Sequence, residues 1–213
     1  MKALIAPMYA IILFALCTSA TAKAETDQPV HLFILLGQSN MQGMDPETGF
    51  MPEAKQLFED EKVVYIKVAK GGQPICRWLE EWLDIAEKKG LDAKHRARIH
   101  RDGKVEFYQP ILDQYQEMLE KHPKLASVTF CWMQGERDAN GGAHAPYKDA
   151  LKLLISKLRR DLKRPDMNIV IGRIGDYALS RHQARRENAF GASVRNWLQN
   201  GSLRQMAYGR AGR

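Results

Sequence analysis

Three short polar segments each follow an apolar run, and each carries a group that could take part in acyl transfer. Ser39 lies in Gly-Gln-Ser-Asn-Met directly after the run VHLFILL, and it offers a hydroxyl as nucleophile. Gly72 follows a second run, and Gln134 and Glu136 follow a third. A backbone N–H and a side-chain amide are donors that can stabilise a tetrahedral oxyanion, each typically worth about 3 kcal/mol. The set predicts a serine-dependent hydrolytic site if the three segments converge.

Each segment also has a simpler interpretation. Gly, Ser and Asn are turn formers, so Gly-Gln-Ser-Asn could be only a turn. Gly71-Gly72 could lead into a helix, and Glu136 could be the acidic residue in the first turn of the next helix. The order of the three segments, each at the end of an apolar run, favours the site over the separate turns.

The apolar runs predict the strands of one sheet. They are rich in β-branched and aromatic residues, as strands buried on both faces of a parallel sheet are. We place the four strands at Val30–Leu36, Lys62–Ala69, Ser127–Met133 and Asn168–Ile174. The carboxyl ends of parallel strands share one edge of the sheet, which is where ligands bind. The polar segments would therefore meet at that edge.

Helical patterns separate the strands. Apolar residues recur at helical spacing in the stretches 77–90, 108–123 and 147–162, and the segment EAKQLF is a short helical or loop piece. The polar, charged stretch 91–106 is expected to be a loop. Strands that alternate with helices predict an α/β fold with a doubly wound, flavodoxin-like, mostly parallel sheet and helices on both faces.

The first residues have the features of a secretory signal. Lys2 supplies the positive charge, Ile11–Leu16 the apolar centre, and Ala22–Ala24 a small-x-small cleavage site. We therefore expect export to the periplasm or the extracellular space, with no stable membrane insertion once the signal is removed. An uncleaved N-terminal anchor is the alternative. The predicted division of the chain is a signal peptide at 1–24, one domain at 25–188 and an atypical tail at 189–213.

Charge and cysteine usage exclude other classes of function. The formal net charge is +7, but the basic residues are scattered among acids, which indicates solvated helix faces and no nucleic-acid partner.

Of the three cysteines, Cys17 lies in the predicted signal. Cys76 and Cys131 could pair after export, although the apolar surroundings of Cys131 favour a buried free thiol. No zinc-ligand spacing occurs, so no metal is expected.

The segments GQSNMQGM, KGGQPICRW and WMQGERDA resemble the SGNH hydrolase superfamily, in particular the sialate O-acetylesterase-like and acetylxylan-esterase-like proteins of carbohydrate esterase family 6. The resemblance extends from about Pro29 to Arg186. It implies a three-layer α/β fold, a carboxylic ester hydrolase acting on an acetylated carbohydrate, and no metal or organic cofactor. It leaves the sugar and the oligomeric state open.

The resemblance also implies roles for the polar residues. Ser39 would be the nucleophile, and its own N–H, the Gly72 N–H and Gln134 would form the oxyanion hole. Glu136 would lie beside the site and either orient a base or bind substrate. Candidate substrate contacts are Gln38, Asn40 and Arg77.

The sequence departs from the family pattern in its last third. The resemblance implies a catalytic base in an Asp-x-x-His segment after a fifth strand, but the last histidine is His182 and no acid follows Glu187. A serine hydroxyl needs such a base at neutral pH. His144 and His182 are the candidates for a substitute base. The tail is expected to be a truncation or a frame change without the fifth strand, so the alternative to an acetylesterase is an inactive carbohydrate-binding remnant or a truncated fragment.

Overall fold

The computed structural model describes residues 28–59 and 61–173, which form a parallel sheet with helices. Its four strands run in the order β2-β1-β3-β4, and every neighbouring pair is parallel. The strands are β1 Val30–Gly37, β2 Lys62–Ala69, β3 Ser127–Met133 and β4 Asn168–Ile171. The predicted α/β fold is confirmed, and β1 and β3 occupy the centre of the sheet.

Eight α-helices connect and flank the strands within the described residues. They are α1 Ser39–Gly43, α2 Pro46–Gly49, α3 Met51–Phe58, α4 Trp82–Lys88, α5 Ala93–His100, α6 Tyr108–Lys121, α7 Glu136–Asn140 and α8 His144–Asp161, and a 3-10 turn spans Ile75–Trp78. The helix expected over 77–90 is thus divided into the 3-10 turn and α4.

The loop expected over 91–106 is wrong in its first half, because that stretch contains α5. Asp92 precedes this helix, and its carboxylate accepts a hydrogen bond from the His95 N–H at 2.9 Å. Such a cap satisfies a backbone donor that the helix itself leaves unpaired. Only Ile99 is buried within α5, so the apolar pattern that would have predicted the helix is missing.

The sheet separates two apolar clusters, as a three-layer fold requires. On β1, Leu32, Ile34 and Leu36 pack in one cluster, while Phe33 and Leu35 pack in the other. All five side chains are fully buried. Side chains alternate between the two faces of a strand, so both faces of β1 are covered.

The two cysteines of the domain lie in different clusters and do not form a disulfide. Cys76 belongs to the cluster of Leu32 and Cys131 to the cluster of Phe33, and both thiols are free and buried. The proposed pairing is therefore wrong, and the expected buried free thiol at Cys131 is confirmed. Burial raises the pKa of Cys76 to about 12 and also raises that of Cys131, which makes both poor nucleophiles.

Several expectations concern residues that lie outside the described part of the chain. They are the signal peptide at 1–24, the tail at 189–213, the fifth strand and His182. Among the helices of residues 28–59 and 61–173, none has the length and apolar character needed to cross a membrane.

Candidate active site

The chain turns sharply between β1 and α1, and this turn presents Ser39. The side chain of Ser39 is exposed at the first position of α1. Gly37 has φ +155°, and a Cβ there would overlap the carbonyl oxygen of Met133 on β3. The Gln38 N–H donates to the same oxygen at 3.0 Å. The turn is thus packed directly against the central strand β3, and only glycine fits at Gly37.

Strand β2 holds the other end of α1. The Lys67 ammonium donates to the carbonyl oxygens of Gln42 at 3.0 Å and Met44 at 2.5 Å. Carbonyls at a helix C-terminus lack partners within the helix, and a cation there is favourable. Burial lowers the pKa of Lys67, while the nearby Asp45 carboxylate opposes that shift. A half-buried lysine therefore ties the Ser39 helix to the sheet.

The Gly71–Gly72 turn lies against Ser39. A Cβ placed on Gly71 would be 3.8 Å from both the Cα and the Cβ of Ser39. The Gly71 N–H donates to the side-chain oxygen of Gln42 at 2.7 Å. Gly72 has φ +68°, is exposed, and has open space where a side chain would be. Within the described residues its N–H has no hydrogen-bond partner, so it is available to a ligand beside Ser39.

Glu136 connects the end of β3 to the Ser39 turn. Its carboxylate accepts from the side-chain amides of Gln38 at 2.5 Å and Asn40 at 2.8 Å. These two residues flank Ser39 in the sequence. Gln38 is only 3% exposed, whereas Asn40 is exposed, so of these two predicted substrate contacts only Asn40 is accessible.

Gln134 is held by a second set of hydrogen bonds. Its amide nitrogen donates to the Gln73 carbonyl at 3.0 Å and to the Asp138 carboxylate at 2.5 Å. Asp138 is 1% exposed and also accepts from the Ile75 N–H at 3.1 Å. Burial raises the pKa of Asp138 to about 7, against the opposing effect of these hydrogen bonds. Both N–H bonds of the Gln134 amide are therefore engaged within the protein.

Arg77 lies in a different environment from the one expected of a substrate contact. Its side chain is buried and donates to the Asp102 carboxylate at 2.5 Å and to the Lys104 carbonyl at 3.1 Å. The N–H groups of Glu106 and Phe107 donate to the Arg77 carbonyl. Arg77 thus anchors the loop that follows α5 through one terminal nitrogen of its guanidinium.

Of the two candidate bases, His144 lies within the described residues. His144 is the exposed first residue of α8, and His182 lies outside the described residues. In the described part of the chain, no side chain forms a hydrogen bond with the Ser39 hydroxyl. His31 lies at the opposite end of β1, where its Nδ1 is 2.7 Å from the Ser127 Oγ and its Nε2 contacts Glu61.

One further histidine is paired with an aspartate three residues before it. Asp92-Ala93-Lys94-His95 is an Asp-x-x-His segment, far earlier in the chain than the family resemblance implies. The His95 Nδ1 lies 2.6 Å from the Asp92 carboxylate. A Cβ on Gly142, in the loop after α7, would be 3.4 Å from the His95 Nε2. The spacing alone would have revealed this oriented pair, whereas Asp138 and Lys67 act through tertiary contacts that no local pattern reveals.

The groups gathered at this edge of the sheet suit acyl transfer. They are an exposed hydroxyl, the N–H groups of the first turn of α1, for which a helix has no internal partners, and the Gly72 N–H. Across residues 28–59 and 61–173, no three His, Cys, Asp or Glu side chains are grouped so that they could hold a metal ion.

Comparison with known families gives an independent result. Residues 42–202 match the family described as carbohydrate esterase, sialic acid-specific acetylesterase, and this range is about three-quarters of the chain. The range includes Gly72, Gln134 and Glu136 and begins three residues after Ser39. No curated protein matches the chain. The chain belongs to the sialic acid-specific acetylesterase family of carbohydrate esterases, within the SGNH superfamily.

Proposed function

We propose that this protein is a serine esterase that removes O-acetyl groups from a carbohydrate. The observation that carries the proposal is the exposed Ser39 at the start of α1, beside the Gly71–Gly72 turn, where a Cβ on Gly71 would lie 3.8 Å from Ser39. Membership of an acetylesterase family supports the reaction class. The substrate would be a sialate or a xylan-like sugar that carries an acetyl ester.

In the proposed reaction, the Ser39 Oγ attacks the acetyl carbonyl carbon and a base accepts the hydroxyl proton. The N–H groups of Ser39 and Gly72 would donate to the oxyanion of the tetrahedral intermediate. Collapse of this intermediate breaks the bond to the sugar oxygen, which takes the proton from the base. Water then attacks acetyl-Ser39 and releases acetate, and Ser39 regains its proton.

The proposed reaction needs a base to accept the Ser39 proton, and two histidines are candidates for it. They are His144 and His182, and among the described residues His144 makes no hydrogen bond to Ser39. A catalytically inactive carbohydrate-binding protein is the second candidate function. It is favoured by the lack, within the described residues, of any hydrogen bond between a base and the Ser39 hydroxyl.

Export forms part of the same proposal. Its support is the charged start at Lys2, the apolar stretch Ile11–Leu16 and the small residues Ala22 and Ala24. The acetylated sugar would then be met in the periplasm or outside the cell.

The proposal is tested by measuring hydrolysis of an aryl acetate, O-acetylated sialic acid and acetylated xylan by the full chain. Ser39→Ala should abolish turnover, because it removes the nucleophile. Ser156→Ala is a matched control, since this serine is exposed on α8 and bonds only the Lys152 carbonyl among the described residues. Ser127→Ala tests the serine that contacts His31. Both controls should retain turnover.

The same assay separates the two candidate functions. Turnover that is equal in wild type and Ser39→Ala would reject the esterase assignment. Absent turnover in the wild type, together with saturable binding of the acetylated sugar, would favour the binding protein. If turnover is present, loss in His144→Ala or in His182→Ala identifies the base.

A further inference from the structure

We infer that Glu136 is a positioning residue that fixes the orientation of Ser39 by holding both of its neighbours. This inference rests on the proposed role of Ser39 as nucleophile and adds a specific role for Glu136. The observation is the pair of hydrogen bonds from the Gln38 and Asn40 amides, 2.5 Å and 2.8 Å long, to the two oxygens of one carboxylate.

The helix that carries Ser39 cannot hold its own direction. It has five residues, whereas isolated helices shorter than about 12 residues are marginal in water. Its N-cap residue, Gln38, makes no side-chain capping bond, because its amide points to Glu136 instead. Met41 is the one buried residue of α1, whereas Ser39 itself is exposed. The orientation of Ser39 therefore depends on bonds to neighbouring elements, and Glu136 supplies two of them.

A carboxylate suits this position because two donors meet there. Each oxygen of Glu136 accepts from a different amide, and hydrogen bonds to an ionised acceptor are roughly twice as strong as neutral ones. Glu136 begins α7 immediately after β3, so the central strand determines where these acceptors lie. Each oxygen uses one of its acceptor sites for an amide that flanks Ser39, so the side-chain bonds of this carboxylate hold the Ser39 turn. The geometry therefore adds a third role to the two that the sequence left open.

The test measures amide hydrogen exchange in the full chain, at Gln42 and Met44. Both N–H groups close the turns of α1, onto the carbonyls of Gln38 and Asn40. Glu136→Ala should speed exchange at these two amides about 10-fold or more, through local opening of α1, while Leu35 on β1 stays unchanged. Glu120→Ala, an exposed glutamate on α6, is the matched control and should change neither.

Glu136→Gln distinguishes a positioning role from one that needs negative charge. Glutamine keeps the shape and one acceptor, and the exposed Asn40 amide can turn its oxygen toward the new N–H. Exchange at Gln42 and Met44 should then stay within about threefold of wild type. Wild-type exchange but lost turnover in Glu136→Gln would assign Glu136 a charge-dependent catalytic role and overturn the inference.

A double-mutant cycle completes the test and does not require the Glu136→Ala protein to be fully stable. Asn40→Ala alone should speed exchange about threefold to tenfold, and it should add nothing in the Glu136→Ala background, because the partner is already missing. Additive effects, or faster exchange of Leu35 to the same extent, would overturn the inference. The exchange readout does not depend on catalysis, so it remains decisive even if Ser39→Ala shows that Ser39 is not the nucleophile.

Discussion

At the scale of single residues, the amides around Ser39 already have partners. Gln134 donates both of its N–H bonds, to the Gln73 carbonyl and to Asp138. An oxyanion could receive a hydrogen bond from Gln134 only if one of these bonds were released during the reaction. Within the described residues, the backbone N–H groups of Ser39 and Gly72 form no hydrogen bond that would have to be released. We therefore expect these two backbone donors to form the oxyanion hole at a lower free-energy cost than Gln134.

Gln134→Leu removes both donors while keeping a side chain of similar size. We expect the free energy of unfolding to fall by about 1–3 kcal/mol, because the buried Asp138 loses one of its hydrogen-bond donors. Urea denaturation measures this change. If Gln134 also serves the oxyanion, kcat should fall about 10²-fold with KM little changed. Unchanged kcat in a folded Gln134→Leu protein would leave the oxyanion hole to the backbone alone.

At the scale of elements, the turn from β1 into α1 has no room for a side chain at Gly37. Gly37→Ala would place a methyl group on the Met133 carbonyl of the central strand β3, where neither element can move away. We expect a loss of roughly 3 kcal/mol or more in the free energy of unfolding. Gly43→Ala is the control, since a Cβ there has open space, and its stability should stay within about 0.5 kcal/mol. Equal stability of the two variants would contradict the close packing.

Elements with a strong apolar pattern were predictable and those without one were not. Strands β2 and β3 have the predicted bounds, because continuous buried runs leave little freedom in where a strand ends. The convergence of Ser39 with the Gly71–Gly72 turn followed from parallel strands alone. Helix α5 was not predicted, because its sequence is polar and has no apolar pattern. The cap at Asp92 stabilises the start of this helix nevertheless. The link from Gln134 to Asp138 depends on how α7 turns back toward the sheet, and sequence spacing does not specify that.

At the scale of the whole molecule, Asp138 connects three parts of the fold. It lies on α7, accepts from Gln134 at the end of β3, and accepts from Ile75 in the 3-10 turn that follows β2. Its carboxyl is almost wholly buried, and burial raises its pKa to about 7, compared with about 3.9 in an unfolded chain. The folded state therefore holds this proton more tightly than the unfolded state.

The pH dependence follows from that difference. Below pH 4 both states are protonated at Asp138, and the full stabilisation from the protonated carboxyl is present. Between pH 4 and 7 the unfolded state loses its proton first, so stability falls as pH rises. It levels off once the folded carboxyl has also ionised. A gap of about three pKa units corresponds to a loss of up to about 4 kcal/mol across this range.

Asp138→Asn should remove this dependence, because asparagine keeps the shape and does not ionise. We expect the free energy of unfolding in urea to fall from pH 4.5 to pH 7.5 by about 2–4 kcal/mol more in wild type than in Asp138→Asn. Asp166→Asn is the control. The hydrogen bond from Arg164 holds the pKa of Asp166 below its usual range, so its ionisation contributes stability that is lost only below this pH window. Its pH profile should parallel wild type. Parallel profiles for wild type and Asp138→Asn would instead mean that the buried carboxyl is ionised at both pH values, with the Gln134 and Ile75 donors outweighing burial.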